Sequence, residues 1–187
     1  MKMNGNKQNE RGRYLLNAKE LCHIALSAAL LAVCSWIAVP IGGVPVTLQT
    51  LALFTLSGLF GAKRTTLALL SWLALGCCGV PVFAGFTGGI HILFSPTGGF
   101  LIGFVLATPL TAYLTKRGGI KQKTLAFALA TLVFHVCGVL WFCMLFTGFT
   151  GGGLLASLLT CSLPYLPFDC VKLAAATFLS ERLKEKV

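Results

Sequence analysis

The sequence predicts an all-α membrane protein, a bundle of six transmembrane helices with both termini in the cytoplasm and Gly/Pro-rich outer loops. Of its 187 residues 56% are hydrophobic and 11% are charged, and the mean hydropathy is +0.85. A soluble domain carries about 25% charged residues. Apolar segments fill nearly the whole length without a dividing linker, so we predict one membrane domain, residues 21–180, between a basic segment, 1–20, and a short tail, 181–187.

Transmembrane helices need about 20 mainly apolar residues. The candidate spans are 21–39, 47–62, 65–80, 98–115, 124–147 and 153–180. The first is longer than the apolar region of a signal peptide, which favours an uncleaved span. The second and third are short. In the last, Pro164 and Pro167 predict a kink or interruption just before Asp169.

Basic residues indicate the orientation of these spans. They cluster before the first span and after the second, fourth and sixth: Lys2, Lys7, Arg11, Arg13 and Lys19; Lys63 and Arg64; Lys116, Arg117, Lys121 and Lys123; Arg182, Lys184 and Lys186. The loops 40–46, 81–97 and 148–152 have no Lys or Arg. This alternation places both termini in the cytoplasm. The net charge of +10 is therefore a topology signal, and we predict no nucleic-acid binding.

The three outer loops are rich in glycine, proline, aromatic residues and threonine. Glycine lets a backbone approach a ligand closely, and proline fixes a bend, so such loops suit a lid over a cavity. Re-entrant packing that only fills space is the alternative, and the composition leaves both open.

Chemical motifs are scarce. The eight cysteines are interpreted as small polarizable residues packed between helices, and Cys77-Cys78 has no second pair at a zinc-like spacing, so no metal is predicted. One buried acid cannot form a carboxylate pair, and the sequence has no His-Glu-x-x-His motif and no phosphate loop. We therefore predict that the chain is not an enzyme, has no cofactor and has no ATP site of its own.

Asp169 and Lys172 are the charged residues that the apolar pattern does not explain. A charged side chain at bilayer depth costs at least ~2.5–3.5 kcal/mol, and a spacing of three puts the two on one helix face. They form either an ion pair that locks helices together or part of a ligand site. Gln49 is open to the same two interpretations, as a ligand contact or an interhelical hydrogen bond. His135 is interpreted as a packing residue, and His91 is left undecided.

A stripe of alanines follows one side of the first span. Ala25 and Ala29 are four residues apart, as are Ala28 and Ala32. Small residues at this spacing let another helix approach closely. The stripe marks either a docking surface or packing inside the bundle.

Three segments carry a family resemblance: "VPVTLQTLALFTLSGLFGAKR" (44–64), "GVPVFAGFTGGIHILFSPTGGFLIGF" (79–104) and "LPFDCVK" (166–172). In this order they resemble the BioY family, the biotin-specific substrate-binding components of energy-coupling-factor (ECF) vitamin transporters. The resemblance covers most of 21–180. It implies a six-helix plasma-membrane protein that captures biotin from outside and works with a membrane coupling subunit and two ATPase subunits. Biotin is then a transported ligand and not a cofactor.

The resemblance also implies roles for residues. The family's Asp-x-x-Lys corresponds to Asp169 and Lys172, its Leu-Gln-Thr to 48–50, and its Pro-Thr-Gly-Gly to 96–99. Its Ala-x-x-x-Ala contact with the coupling subunit corresponds to Ala25 and Ala29, and Ala32 extends the same candidate interface.

Departures from the family pattern occur near the ligand loops. Phe168 and Ser95 stand where relatives usually have glycine, as does His91, and the long loop lacks the arginine of some relatives. The partner of the biotin carboxylate is therefore left open.

Biotin's chemistry suits the candidate residues. Asp169 can accept hydrogen bonds from the ureido N–H groups, and Lys172 can balance that charge or meet the ureido oxygen or the tail carboxylate. Aromatic side chains that can wall the rings are Trp36, Phe83, Phe86, Phe94 and Tyr165. The candidate substrate-binding residues are Asp169, Lys172, Gln49, Thr47, Phe86, Gly88, Gly89, His91 and Tyr165.

The alternative function is an autonomous proton-coupled carrier of biotin or another small vitamin, with Asp169 as its proton relay.

Overall fold

The structure is a computed structural model that describes residues 17–41, 44–115 and 119–184. These residues form six α-helices: α1 (Ala18–Trp36), α2 (Gln49–Cys77), α3 (Gly98–Thr115), α4 (Ile120–Phe142, continued by a π-helical turn, Cys143–Thr147), α5 (Gly151–Cys161) and α6 (Leu166–Lys184). Strands β1 (Ala38–Ile41) and β2 (Val44–Thr47) pair antiparallel between α1 and α2. Residues 1–16 of the predicted segment 1–20 and residues 185–187 of the predicted tail 181–187 lie outside the described residues.

Helix α2 contains the second and third predicted spans, joined by a sharp break. Gly61 has φ 68° and ψ 165°, a conformation that glycine tolerates. The Thr65 hydroxyl donates to the Leu56 carbonyl over 3.1 Å, although residues nine apart lie about 13.5 Å apart along a straight helix. The two arms of α2 must therefore fold back toward each other, and the predicted division between these two spans is confirmed.

The last predicted span is also broken. α5 and α6 are bent by 49° across residues 162–165, beside Pro164 and Pro167, which confirms the predicted interruption. Asp169 consequently lies in the first turn of α6.

The surface indicates how the bundle sits in a bilayer. Helices α1 and α3 and the continuous segment Ile120–Thr147 are long and apolar enough to span a membrane, and α5 with α6 adds a fourth if the bent pair is one span. Large apolar side chains lie exposed, among them Leu26 (70%) and Val171 (70%). Such surface is stable against lipid and not against water. The chain is a multi-pass membrane protein.

Aromatic side chains fill the centre of the bundle. Phe54 of α2 stacks on Phe127 of α4 with ring centroids 4.8 Å apart, and Phe104 of α3 meets Phe134 edge-on at 5.1 Å. A Cβ at Gly103 would lie 2.5 Å from Phe134 Cα, so glycine is what lets α3 approach α4 this closely. Of these rings, Phe104 and Phe134 line the cavity described below.

One charged residue lies elsewhere than predicted. Lys123 was assigned to a cytoplasmic loop, but α4 already begins at Ile120, and the Lys123 side chain is fully buried. Its ammonium lies 3.2 Å from a carboxylate oxygen of Glu181 and 3.4 Å from the Ser180 hydroxyl. The ion pair lets the start of α4 pack on the end of α6 because it compensates the buried charge.

A candidate ligand-binding cavity

A cavity of about 310 Å³ lies between the strand hairpin, the long connection from α2 to α3 and the helices beneath them. This volume is at the lower end of the range for small-molecule sites, about 300–1,000 Å³. One side of its wall is formed by residues of β2 and of the connection between α2 and α3: Val44, Pro45, Val46, Thr47, Phe83, Ala84, Thr87, Ile92, Ser95, Pro96 and Thr97. Two of the three predicted outer loops therefore contribute to one cavity.

The acid and the lysine meet on the helical side of this cavity. The Lys172 ammonium donates to Asp169 Oδ1 over 2.9 Å, and the two side chains are 11% and 7% exposed. The Thr50 hydroxyl donates to the same oxygen over 3.3 Å. With Oδ1 occupied by two donors, the other carboxylate oxygen, Oδ2, keeps most of the remaining acceptor capacity.

His135 lies against that second oxygen. Its Nε2 is 3.6 Å from Asp169 Oδ2, and its Nδ1 is 3.0 Å from the Thr131 carbonyl. The imidazole is buried, and Nε2 has no hydrogen-bond partner among the described residues. His135 packs in the bundle as predicted, but it packs directly behind the acid.

Two neutral polar groups at the cavity also lack partners. Ser35 Oγ and Gln49 Nε2 are buried without a hydrogen bond within the part of the chain that the structure describes, and both residues line the cavity. An unsatisfied buried donor costs about 1–3 kcal/mol, so a ligand that offers an acceptor gains from these groups. Sequence reasoning missed Ser35 because one serine at the end of an apolar span is not distinctive.

Five of the nine predicted substrate-binding residues line the cavity: Asp169, Lys172, Gln49, Thr47 and Tyr165. Of these, Tyr165 contributes only its ring, because its hydroxyl forms two hydrogen bonds with the strand hairpin. The hydroxyl accepts from the Val44 amide over 3.1 Å and donates to the Ile41 carbonyl. Tyr165 thereby ties both strands of the hairpin to the turn between α5 and α6.

The other four, Phe86, Gly88, Gly89 and His91, are not among the residues that line it. Phe86 is 64% exposed and stacks on Trp36 with centroids 5.0 Å apart. The Gly89 amide donates to the Gly76 carbonyl over 2.7 Å, and a Cβ at Gly88 would collide with the Val80 carbonyl. In this structure the two glycines allow the loop to fold on the end of α2.

Aromatic side chains of the helices, which the sequence did not single out, make up much of the apolar wall. Trp72, Phe100, Phe104 and Phe134 all line the cavity. In the sequence, an aromatic residue that faces a cavity inside a span cannot be told from one that faces lipid. Of the aromatic residues proposed for the ring walls, Phe83 and Tyr165 line the cavity, whereas Trp36 and Phe94 do not.

The alanine stripe divides between the surface and the interior. Ala25 and Ala29 are exposed, whereas Ala32 is 6% exposed. All three border an apolar groove between α1 and the second arm of α2, with Leu75 and Val82 on its far side. Ala25 and Ala29 are thus accessible to another helix, and Ala32 is accessible only from within the groove.

A multi-pass bundle with a cavity lined by a buried acid and a largely buried lysine belongs to the class of membrane substrate-binding and transport proteins. The model of the BioY family matches residues 6–187. The chain belongs to the BioY family, which confirms the resemblance found in the three motifs.

Individual relatives agree with this assignment. The biotin transporter BioY2 of Lactococcus lactis is 46% identical over 63% of this chain and 66% of its own length. The probable biotin transporter BioY of Pyrococcus horikoshii is 37% identical over 90% of this chain and 98% of its own. The 2.1 Å crystal structure of the S-component for biotin from an ECF-type ABC transporter matches with a TM-score of 0.79 and 25% identity, covering 98% of this chain and 95% of that chain. These matches confirm the predicted S-component fold. They also confirm the prediction that the chain is a component of a transporter and not an enzyme.

Proposed function

We propose that this chain is the biotin-binding S-component of an ECF-type vitamin transporter, and that it captures biotin from outside the cell. The observation that carries the proposal is the cavity around Asp169 and Lys172 in a chain that shares its fold with an S-component for biotin. In this proposal biotin is the transported ligand and not a cofactor.

The buried pair suits the ureido ring. That ring presents two N–H donors and one carbonyl acceptor, and the free acceptor capacity on Asp169 Oδ2 can take an N–H. A charge-assisted hydrogen bond of this kind contributes roughly 1.5–3 kcal/mol. Lys172 balances the charge of the carboxylate over 2.9 Å, so that the pair carries no net charge before the ligand arrives.

The neutral donors give the cavity a second way to hold an acceptor. Ser35 Oγ and Gln49 Nε2 are unpaired among the described residues and line the same space. Either the ureido carbonyl or the tail carboxylate of biotin can satisfy them. Trp72, Phe83 and Phe100 supply apolar surface for the thiophane ring.

We further propose that the strand hairpin and the connection between α2 and α3 form the lid. Residues of both segments line the cavity, so a ligand that enters from the outer side must pass between them. Phe86, Gly88, Gly89 and His91 belong to the outer part of that connection. Their proposed contribution is to shape the lid or to contact biotin while the lid is open.

The proposed partners are a membrane coupling subunit and two ATPase subunits. The matching crystal structure is an S-component of an ECF-type ABC transporter, which supports partnership with an ECF module. Ala25 and Ala29 are exposed on α1, and Ala32 lies in the adjoining groove. We propose this side of α1 as the docking surface.

The test of the proposed function is direct binding. The purified chain in detergent is first unfolded by heat to release any bound vitamin, and the supernatant is assayed for biotin. Radiolabelled biotin is then bound to protein purified from biotin-free cells, with riboflavin and thiamine as competitors. We expect stoichiometric binding that only biotin competes. No binding, or equal competition by the other vitamins, would overturn the proposal.

The second candidate is an autonomous proton-coupled carrier. The observation that favours it is His135 Nε2 at 3.6 Å from Asp169 Oδ2, since intramembrane acid–histidine pairs can relay protons. Reconstitution of the chain alone in liposomes separates the two. Binding without accumulation supports the S-component, and uptake driven by a pH gradient supports the carrier.

A further inference from the structure

We propose that His135 and Asp169 hold a proton between them, and that the protonated His135 positions the carboxylate for the ligand. The proposal rests on the proposed function, because it assigns a positioning role within the biotin site. It makes biotin binding dependent on pH, with tighter binding at low pH.

The hydrogen bonds of the imidazole determine where its protons lie. The Thr131 carbonyl can only accept, so the Nδ1 atom 3.0 Å from it must carry a hydrogen. A neutral imidazole has one N–H. In the neutral form the Nε2 atom would therefore turn a bare lone pair toward Asp169 Oδ2, 3.6 Å away.

Two lone pairs facing each other in a buried site repel, whereas a proton between them converts the contact into a hydrogen bond. The protonated imidazole has an N–H at both nitrogens, so Nε2 can donate to Oδ2 while Nδ1 keeps its bond to Thr131. The contact geometry thus favours a proton between Nε2 and Oδ2, whereas burial of the imidazole opposes the charged form.

The surroundings isolate this pair from other ionisable groups. Among the described residues, the charged groups that act on the imidazole are Asp169 and Lys172, both on α6. Its other close neighbours are aromatic: Phe100 of α3 lies edge-on at 5.8 Å, and Phe134 of α4 lies at 4.8 Å. Helix α5, Gly151–Cys161, has no acid, lysine, arginine or histidine.

Protonation prepares the carboxylate for the ligand. Lys172 and Thr50 occupy Oδ1, and the protonated His135 would occupy one acceptor position of Oδ2. One position on Oδ2 remains, held in a fixed direction for a ureido N–H. The proton also changes the charge of the three side chains from zero to +1, which favours an anionic ligand.

Binding and protonation are then linked, and the link is reciprocal: if the proton strengthens biotin binding, biotin strengthens proton binding. We expect the affinity of the wild-type chain to fall at least about fivefold from pH 5.5 to pH 8.5, the lower end of usual coupling between two sites. Titration calorimetry in buffers of different ionisation enthalpy should show a fraction of a proton taken up per biotin near neutral pH.

His135→Gln is the variant that tests the role, because its amide keeps a donor and does not titrate. We expect it to bind biotin with a flat pH profile and no proton uptake. His23→Gln is the matched control, since His23 bonds to the Lys19 carbonyl and packs on Phe60 at the start of α1, outside the cavity. His23→Gln should keep the wild-type slope, that is, the fall of biotin affinity from pH 5.5 to pH 8.5. His135→Asn serves as the second variant if the glutamine chain does not fold.

Biotin methyl ester has a neutral tail, so it is not attracted by the added positive charge. It therefore separates the positioning of the Asp169 carboxylate from simple charge attraction between the site and an anionic ligand. The slope should persist with the ester if the proton acts on the carboxylate of Asp169. A wild-type chain that binds biotin with equal affinity and no proton uptake across this range overturns the inference. So does a slope that survives in His135→Gln or disappears with the ester. Failure to bind biotin at any pH would instead defeat the proposed function.

Discussion

The hydroxyl of Thr50 donates to Asp169 Oδ1 over 3.3 Å, although the two residues are 119 positions apart. The bond joins the Leu-Gln-Thr segment at the start of α2 to the acidic first turn of α6. Two of the three motifs therefore meet at one carboxylate, and Lys172 completes its coordination.

Replacing Asp169 by asparagine should weaken biotin binding tenfold or more. A hydrogen bond to a charged group contributes roughly 1.5–3 kcal/mol, and the neutral amide loses that charge. The substitution also leaves the Lys172 ammonium without its counter-charge. Equilibrium binding of radiolabelled biotin measures the effect. Glu20→Gln is the control, because this acid pairs with Arg64 at 3.3 Å outside the cavity. Normal binding by a folded Asp169→Asn chain would show that the pair is structural.

Lys172→Ala should also weaken binding, because it leaves Asp169 buried with only neutral donors and a histidine. The structure predicts partial loss, since Thr50 still donates to Oδ1. Binding at several pH values is the measurement. Unchanged affinity in a chain with wild-type thermal stability would contradict a role for this lysine in the site.

Tyr165→Phe should speed biotin dissociation more than it slows association. The change removes the hydroxyl that bonds to Val44 and Ile41 and leaves the ring on the cavity wall. A hairpin released from this anchor should open more often, and affinity differences between related complexes arise mostly in the dissociation rate. Chase of bound radiolabelled biotin by excess unlabelled biotin gives this rate. A loss confined to association would argue against the hairpin as a lid.

Replacing both Ala25 and Ala29 by tryptophan should leave biotin binding intact and abolish uptake. The two alanines are exposed on α1, and bulky rings prevent the close approach that small residues permit. The measurements are biotin binding to the isolated chain, co-purification with the coupling subunit and biotin uptake, and the last two should be lost. The control pair is Leu26→Trp with Leu30→Trp, exposed residues on a neighbouring face of the same helix. If co-purification persists, the docking surface lies elsewhere.

Lys123→Ala should destabilise the fold without changing biotin affinity. Removing one partner of a buried pair costs about 3–5 kcal/mol, and the loss should fall toward the lower end because Glu181 is 32% exposed. Thermal unfolding in detergent measures the change. A double variant, Lys123→Met with Glu181→Gln, leaves no unpaired charge and should recover much of the stability. Failure to recover would indicate that the charged pair itself stabilises the fold, because methionine keeps most of the apolar stem of the lysine.

Features that depend on residues close together in the chain could be read from the sequence. The pairing of Asp169 and Lys172 follows from a spacing of three in a helix, and the break before them follows from two prolines. Membrane insertion follows from composition, because apolar segments of this length are stable only in lipid.

Contacts between helices depended on the tertiary structure alone. Ser35, Thr50 and His135 lie on three different helices, and no local pattern relates them to Asp169. The fold brings Ser35 and Thr50 to the cavity and His135 behind Asp169, because glycines such as Gly103 let α3 and α4 pack closely while the break at Gly61 returns α2 across the bundle. Which aromatic side chains face the cavity was likewise decided by packing, because lipid and a protein interior are equally apolar surroundings for a phenyl ring.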